Sequence, residues 1–171
     1  YDPRERIIHE YLQKHKIYNV FFDFYHRLTR SMTEAGVTNK VHAVKVLRKR
    51  FRDDAMQVEL FLREGEIGML LRHPNIVPTH EINTDPSAPF FVMDFVEGQN
   101  LREWLKVRGK LDLSTCMRLI VDIISGLAYA AQKGIFHRDL KLSNVLVTSR
   151  GRASLVDFGL YGTRAGSDFT G

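Results

Sequence analysis

HRDLKLSN, His137 to Asn144, followed thirteen residues on by Asp157-Phe158-Gly159, is the stretch on which the reading of this chain turns. Between the two lie Asn144–Thr148 and Ala153–Val156, β-prone runs separated by Ser149-Arg150-Gly151-Arg152, a hairpin pattern. A hairpin returns the chain on itself, so Asn144 and Asp157 meet at one mouth. An amide oxygen beside a carboxylate is a pair of hard ligands suited to Mg²⁺ that also holds phosphate oxygens. Asp139, one turn of loop earlier, is free to take a proton from an attacking hydroxyl. Lys141 can reach the same transferred phosphoryl group.

A second stretch, VHAVKVL from Val41 to Leu47, alternates with the period of a strand and sets Ala43 and Lys45 on one face. The small residue can roof an adenine ring while the lysine reaches phosphates. A lysine in that role needs an anion to hold its flexible stem. Glu64 and Glu66 on the following segment are the candidates, on different faces of a helix because they stand two residues apart.

Together these stretches resemble the protein kinase family, of serine/threonine type and in the style of bacterial members, from about Tyr18 to the end of the chain. The resemblance implies an α+β, two-lobed fold: an N-lobe antiparallel sheet with one helix, then the first part of a mainly helical C-lobe. It implies an N-terminal extension over residues 1–17, an N-lobe over 18–95, and a hinge and C-lobe start over 96–171. It implies ATP and Mg²⁺ as cofactors and protein Ser/Thr hydroxyls as acceptors. Asp139 would be the catalytic base, Asn144 and Asp157 the magnesium ligands, and Lys141 the lysine found at this place in serine/threonine kinases. Glu64, nine residues before His73, stands where the family keeps the partner of the strand lysine. Met93 would be the gatekeeper, with the Asp94 carbonyl and Val96 backbone offered to adenine and Leu146 as the floor beneath it. Leu142 stands where the family usually has Pro.

The rest of the chain frames these motifs. Asp53 to Leu71 reads as a helix capped by acidic residues, with Val58, Phe61, Leu62, Ile67, Leu70 and Leu71 as its buried stripe and Pro74 barring continuation. Arg4 to His15 has the spacing of a short amphipathic helix. Strands are expected over Ile76–Ile82 and Pro89–Phe95, and helices over Leu101–Arg108 and Ser114–Lys133, closed by Gly109 and Gly134. The net charge of +5 includes a run from Lys45 to Arg52 that is interrupted by Val46, Leu47 and Phe51. It reads as a solvated strand end, and no nucleic-acid partner is expected. Cys116 is the only cysteine, so no internal disulfide can form. A buried helix position and a reducing, cytoplasmic setting are the expectation. No apolar run approaches the roughly 18 residues of a bilayer span, and no membrane segment is expected.

Two features depart from the family. The glycine-rich loop that should lie about twenty residues before the strand lysine is absent, since Gly36 is the only glycine before Lys45 and the place reads Phe21 to Leu28. That departure keeps open a pseudokinase or nucleotide-binding module as the alternative; Lys141 weakens a third reading, a small-molecule phosphotransferase. The chain also opens on Tyr1 and stops at Gly171 before any Ala-Pro-Glu motif, as expected of a fragment. Arg138, read as a buried cation beside Asp139, suggests control by phosphorylation at Thr163, Ser167 or Thr170, the alternative being that these three are merely loop residues. The segment alone should then expose the apolar face of the Ser114–Lys133 helix and aggregate. Light scattering showing a monodisperse species with a sharp cooperative melt would contradict this.

Overall fold

The computed structural model describes residues 20–22, 42–85 and 88–158. The expected helix over 4–15, Gly159, Thr163, Ser167 and Thr170 lie outside the described residues. Four strands, β1 (Val20–Phe22), β2 (His42–Val46), β3 (Thr79–Asn83) and β4 (Phe90–Asp94), form one sheet in the order β1-β2-β4-β3. The β2–β4 and β4–β3 pairs are antiparallel, as expected, and β1 adds one parallel pair at the edge. A parallel neighbour needs a crossover of about a dozen residues or more, and residues 23–41 supply that length. Phe90, Phe91 and Val92 are all buried, so β4 is covered on both faces and forms the centre of the sheet.

Helix α1 (Ala55–Leu70) lies against this sheet. The Asp54 carboxylate caps it, accepting from the backbone N–H groups of Met56 and Gln57 at 3.0 and 3.3 Å. Phe61 packs on Phe91 with ring centroids 5.0 Å apart, joined by Leu47 in one apolar cluster. Leu70 departs from expectation and is 63% exposed, whereas Leu71 is fully buried. The backbone turns extended at Leu71, and this swings one leucine inward while its neighbour stays outside.

A second, antiparallel sheet joins β5 (Gly98–Asn100), β6 (Val145–Thr148) and β7 (Ala153–Leu155) in that order. The β6–β7 hairpin matches the sequence pattern; β5 does not, because Gly98-Gln99-Asn100 carries no strand-forming side chain. Its backbone pairs with β6 all the same. Helix α2 (Leu101–Arg108) follows, capped by Asn100 and ended at Gly109, whose φ of 72° suits glycine. Helix α3 (Leu113–Gln132) is capped by Asp112 and ends before Gly134, also at φ 72°.

The side of α3 that packs inward carries Leu119, Asp122, Gly126 and Ala130. Met117, Ile120, Val121 and Ile124 are exposed by 42–59%. Asp122 is buried and accepts from Arg152 through two nitrogens at 2.8 and 2.9 Å and from the Ala153 N–H at 2.9 Å. Cys116 is half-buried rather than buried. Contrary to the sequence reading, α3 is long and apolar enough to cross a bilayer by length and composition. One side of it nonetheless belongs to this fold: Leu119 and Ala130 pack in the core, and the buried Asp122 is paired with the exposed Arg152.

The two sheets are tied by the turn after α1. Asn75 donates its side-chain amide to the Ala153 carbonyl at 2.8 Å, while its own carbonyl accepts from Leu155 N–H at 2.8 Å. Leu155 in turn accepts from Val77 N–H at 2.9 Å. Any movement of α1 is therefore felt at β7.

Close approach of α1 to β3 rests on Gly68, where an added Cβ would lie 2.2 Å from Thr79 Oγ1 and 3.0 Å from its Cβ. Thr79 is buried and has nowhere to retreat. Helix propensity would favour Gly68→Ala by about 1 kcal/mol, against an overpacking cost of about 1–3 kcal/mol. The clash should win: Gly68→Ala is expected to lower the urea midpoint, and an unchanged or higher midpoint would refute the contact.

Candidate active site

Lys45 reaches out from β2, and its Nζ lies 2.6 Å from Glu64 Oε1 on α1 and 2.8 Å from Asp157 Oδ1 just past β7. One ammonium thus joins three elements. Burial alone would lower the Lys45 pKa, but the two carboxylates overcome it and raise the pKa, so the amine stays charged. Burial pushes the Glu64 carboxyl up to about 7, opposed by Lys45 and assisted by the negative charge of Asp157. Glu66, the other candidate partner, is exposed.

A second group gathers around Asp139. Its Oδ2 accepts from Lys141 Nζ at 2.6 Å and from Asn144 Nδ2 at 3.2 Å, and its carbonyl accepts from the same Asn144 amide at 3.0 Å. The hydrogen bond from Lys141 holds the Asp139 carboxyl below the usual range, so it is ionised at neutral pH. Asn144 ends a short 3₁₀ turn, Leu142–Asn144, and is buried. Its carbonyl accepts from Val156 N–H at 3.0 Å, which brings Asn144 beside the residue preceding Asp157. The hairpin therefore joins the two groups at one end.

The backbone is held in the left-handed region at two non-glycine positions, Arg138 and Asp157, each with φ 57°. Such residues are uncommon and costly, and here one precedes Asp139 while the other is itself a site residue. Arg138 is exposed, which corrects the picture of a buried cation awaiting a phosphate.

His137 enters the sequence reading only as part of its motif, yet it supports both loops. It is buried, donates from Nε2 to the Val156 carbonyl at 2.9 Å, and stacks on Phe158 with centroids 4.6 Å apart. Burial lowers its pKa, so the ring is neutral. An imidazole followed by a polar run gives no hint of a partner 19 residues away.

The remaining expected residues lie on the surrounding strands. Ala43 is buried on β2 opposite Met93 of β4. Asp94 ends β4, donates its N–H to the Pro78 carbonyl at 3.1 Å and directs its carboxylate to His80. Val96 is half-buried in the connection to β5, and Leu146 is half-buried on β6 opposite Asn100. The side chains of the expected loop over residues 21–28 lie outside the described residues; the backbone places strand β1 at Val20–Phe22.

The family described as "Protein kinase domain" matches residues 31–168. The match begins after the phenylalanine-rich segment, later than the resemblance read from the sequence. The chain is 33% identical over 156 residues to the probable serine/threonine-protein kinase PknB of Lactococcus lactis, covering 85% of this chain and 25% of that protein. It is 31% identical over 129 residues to the serine/threonine-protein kinase PrkC of Bacillus subtilis, covering 75% and 20%. Over 118 residues it is 42% identical to CBL-interacting protein kinase 17 of Oryza sativa subsp. japonica, covering 69% and 26%. The chain spans about a quarter of the length of these relatives.

The raised Glu64 carboxyl has a measurable consequence. In the unfolded chain it titrates near 4.5 and in the folded protein at about 7, so between these values the folded state holds a proton that the unfolded state has released. Its contribution to stability is fully present below about 4.5 and is lost as pH rises to about 7. Glu64→Gln mimics the protonated form and lacks this slope. The stability of the parent relative to the variant should therefore fall by on the order of 1–3 kcal/mol between pH 4.5 and 7.5. Urea titrations giving a constant or rising difference would contradict the assignment.

Proposed function

The chain belongs to the protein kinase domain family, and from that premise we propose that the full-length protein transfers the γ-phosphoryl group of ATP to Ser or Thr hydroxyls of protein substrates. The observation that carries this reading is the Lys45 ammonium held between Glu64 and Asp157, at the end of the hairpin where Asp139, Lys141 and Asn144 gather. We assign residues 18–95 to the N-lobe and 96–171 to the hinge and C-lobe, with 1–17 as an extension. The single cysteine accords with a cytoplasmic setting.

The donor set fits magnesium. Asn144 spends its Nδ2 on Asp139, which leaves its Oδ1 as an acceptor, and Asp157 accepts from Lys45 through Oδ1. Magnesium, when bound, neutralises phosphate charge. Lys45, already charged and fixed by its two carboxylates, is suited to grip the nucleotide phosphates. Ala43 and Leu146 would enclose adenine, with the Asp94 carbonyl and Val96 backbone along its edge.

In the transfer itself, the acceptor oxygen forms a bond to the γ-phosphorus as the bond to the β-phosphate oxygen breaks and ADP departs. Asp139 accepts the hydroxyl proton. Its lowered pKa makes it a positioning acceptor rather than a strong base, which suits a reaction whose transition state is loose. Lys141, bonded to the same carboxylate, can follow the charge of the phosphoryl oxygens.

The rival reading is a nucleotide-binding module without turnover, favoured by the lack of glycine between Phe21 and Leu28. Full-length protein assayed with labelled ATP separates the two. Transfer to protein Ser or Thr is expected, with Asp139→Asn slower by about 100-fold or more. A parent that binds nucleotide but transfers nothing would establish the rival instead.

A further inference from the structure

Three side chains separated by 38 and 14 residues in the sequence converge at one end of β2: His42, His80 and Asp94. His80 Nε2 lies 2.6 Å from Asp94 Oδ1. The rings of His42 and His80 meet edge to face, with centroids 5.4 Å apart and planes at 86°. One donor atom from each of the three residues falls within 4.8 Å of the other two.

The backbone builds this convergence. His42 and Asp94 are direct partners across β2 and β4, so their side chains project from the same face of the sheet. In the β3–β4 ladder Thr79 opposes Met93 but Glu81 opposes Val92, which makes His80 the extra residue of an irregularity. A bulge of this kind re-aims a side chain. Here it accompanies a histidine turned onto the Asp94 carboxylate.

We infer that His42, His80 and Asp94 form a binding site for a divalent first-row transition metal ion, with zinc as its occupant. Two imidazole nitrogens and one carboxylate oxygen make a three-ligand zinc set that leaves a fourth position for water. Imidazole donors suit zinc, whereas magnesium prefers oxygen, so this site is chemically distinct from Asn144 and Asp157. Ligand atoms on a tetrahedral zinc ion stand about 3.3 Å apart, given bonds of about 2.0 Å. The His80–Asp94 contact would open slightly and the third donor would close in, both within reach of side-chain rotation. His80 and Asp94 are 34% and 27% exposed, which gives an ion a path from solvent. Bound there, it would clamp β2, β3 and β4 together at the end of β4, next to the chain segment leading to Val96. The inference rests on the geometry of these strands alone and stands or falls independently of phosphoryl transfer.

The test uses the full-length protein, stripped by a chelator and titrated with Co²⁺, a spectroscopic substitute for Zn²⁺, in millimolar Mg²⁺ to occupy oxygen sites. One equivalent of Co²⁺ should give the visible absorption of four- or five-coordinate cobalt, and Zn²⁺ should abolish it. Zn²⁺ at a hundredfold excess over its Kd should raise the Tm by about 5 °C. His80→Gln retains a donor for Asp94, and His42→Asn retains a polar group; each should fold by circular dichroism and lose both the absorption and the shift. A parent without the cobalt band, or a band and shift that survive either substitution, would overturn the proposal.

Discussion

One ammonium between two carboxylates is the constraint that the architecture serves. Lys45 comes from a strand, Glu64 from the helix after it, and Asp157 from beyond a hairpin 112 residues away in sequence. Each carrier must be fixed relative to the other two. Packing of Phe61 on Phe91 sets α1 against the first sheet, and Gly68 lets the helix approach Thr79. The Asn75 turn then binds the end of that helix to β7, two residues short of Asp157. Helix position and carboxylate position are thus coupled through backbone hydrogen bonds, which tolerate little displacement.

The electrostatics of the cluster follow from counting charges. Two carboxylates share one cation in a half-buried place, so the group is one positive charge short, and the cost falls on Glu64, the less exposed of the two. Asp139 sits in the opposite condition. It has Lys141 and the Asn144 amide to itself, lies nearer solvent, and is held ionised. Carboxylates of the two groups are thereby driven to different proton affinities, by burial at Glu64 and by hydrogen bonding at Asp139. The positive φ at Arg138 and Asp157 shows that the backbone is held in an uncommon conformation beside both. His137, bonded to Val156 and stacked on Phe158, links the two strained loops.

Much of this was legible in the sequence because the chemistry-bearing residues fall within short motifs whose local structure is simple. Strand alternation placed Lys45, the acidic cap and Pro74 framed α1, and the hairpin brought Asn144 toward Asp157. What could not be read was anything that depended on tertiary approach. Glu64 is preferred to Glu66 by its place nine residues before His73, whereas its 2.6 Å contact with Lys45 is set by how α1 lies on the sheet. Strand β5 exists because β6 offers it a ladder, not because Gly98-Gln99-Asn100 favours extension. The meeting of His42, His80 and Asp94 depends on cross-strand register and an irregular ladder, neither of which leaves a trace in composition.

Helix α3 shows where pattern reading meets its limit. Its apolar residues Met117, Ile120, Val121, Ile124 and Leu127 make a convincing stripe, yet of these only Leu127 packs against the core, and the first four are exposed. The inward side mixes Leu119, Ile123 and Leu127 with Asp122, Gly126 and Ala130, and at Gly126 the approach is too close for any side chain: a Cβ there would lie 2.9 Å from the Asn75 carbonyl. Asp122 can be buried there because Arg152 and the Ala153 N–H satisfy its oxygens. A run of large apolar residues at helical spacing marks a face with something to hide, but a helix can have two faces committed to contact, one by shape and hydrogen bonding and one by apolar area. Only the second is visible as periodicity. An apolar count finds Leu119, Ile123 and Leu127 but overlooks Asp122 and Gly126, which fix how closely α3 docks, and the exposed stripe is apolar surface of the character that proteins ordinarily cover.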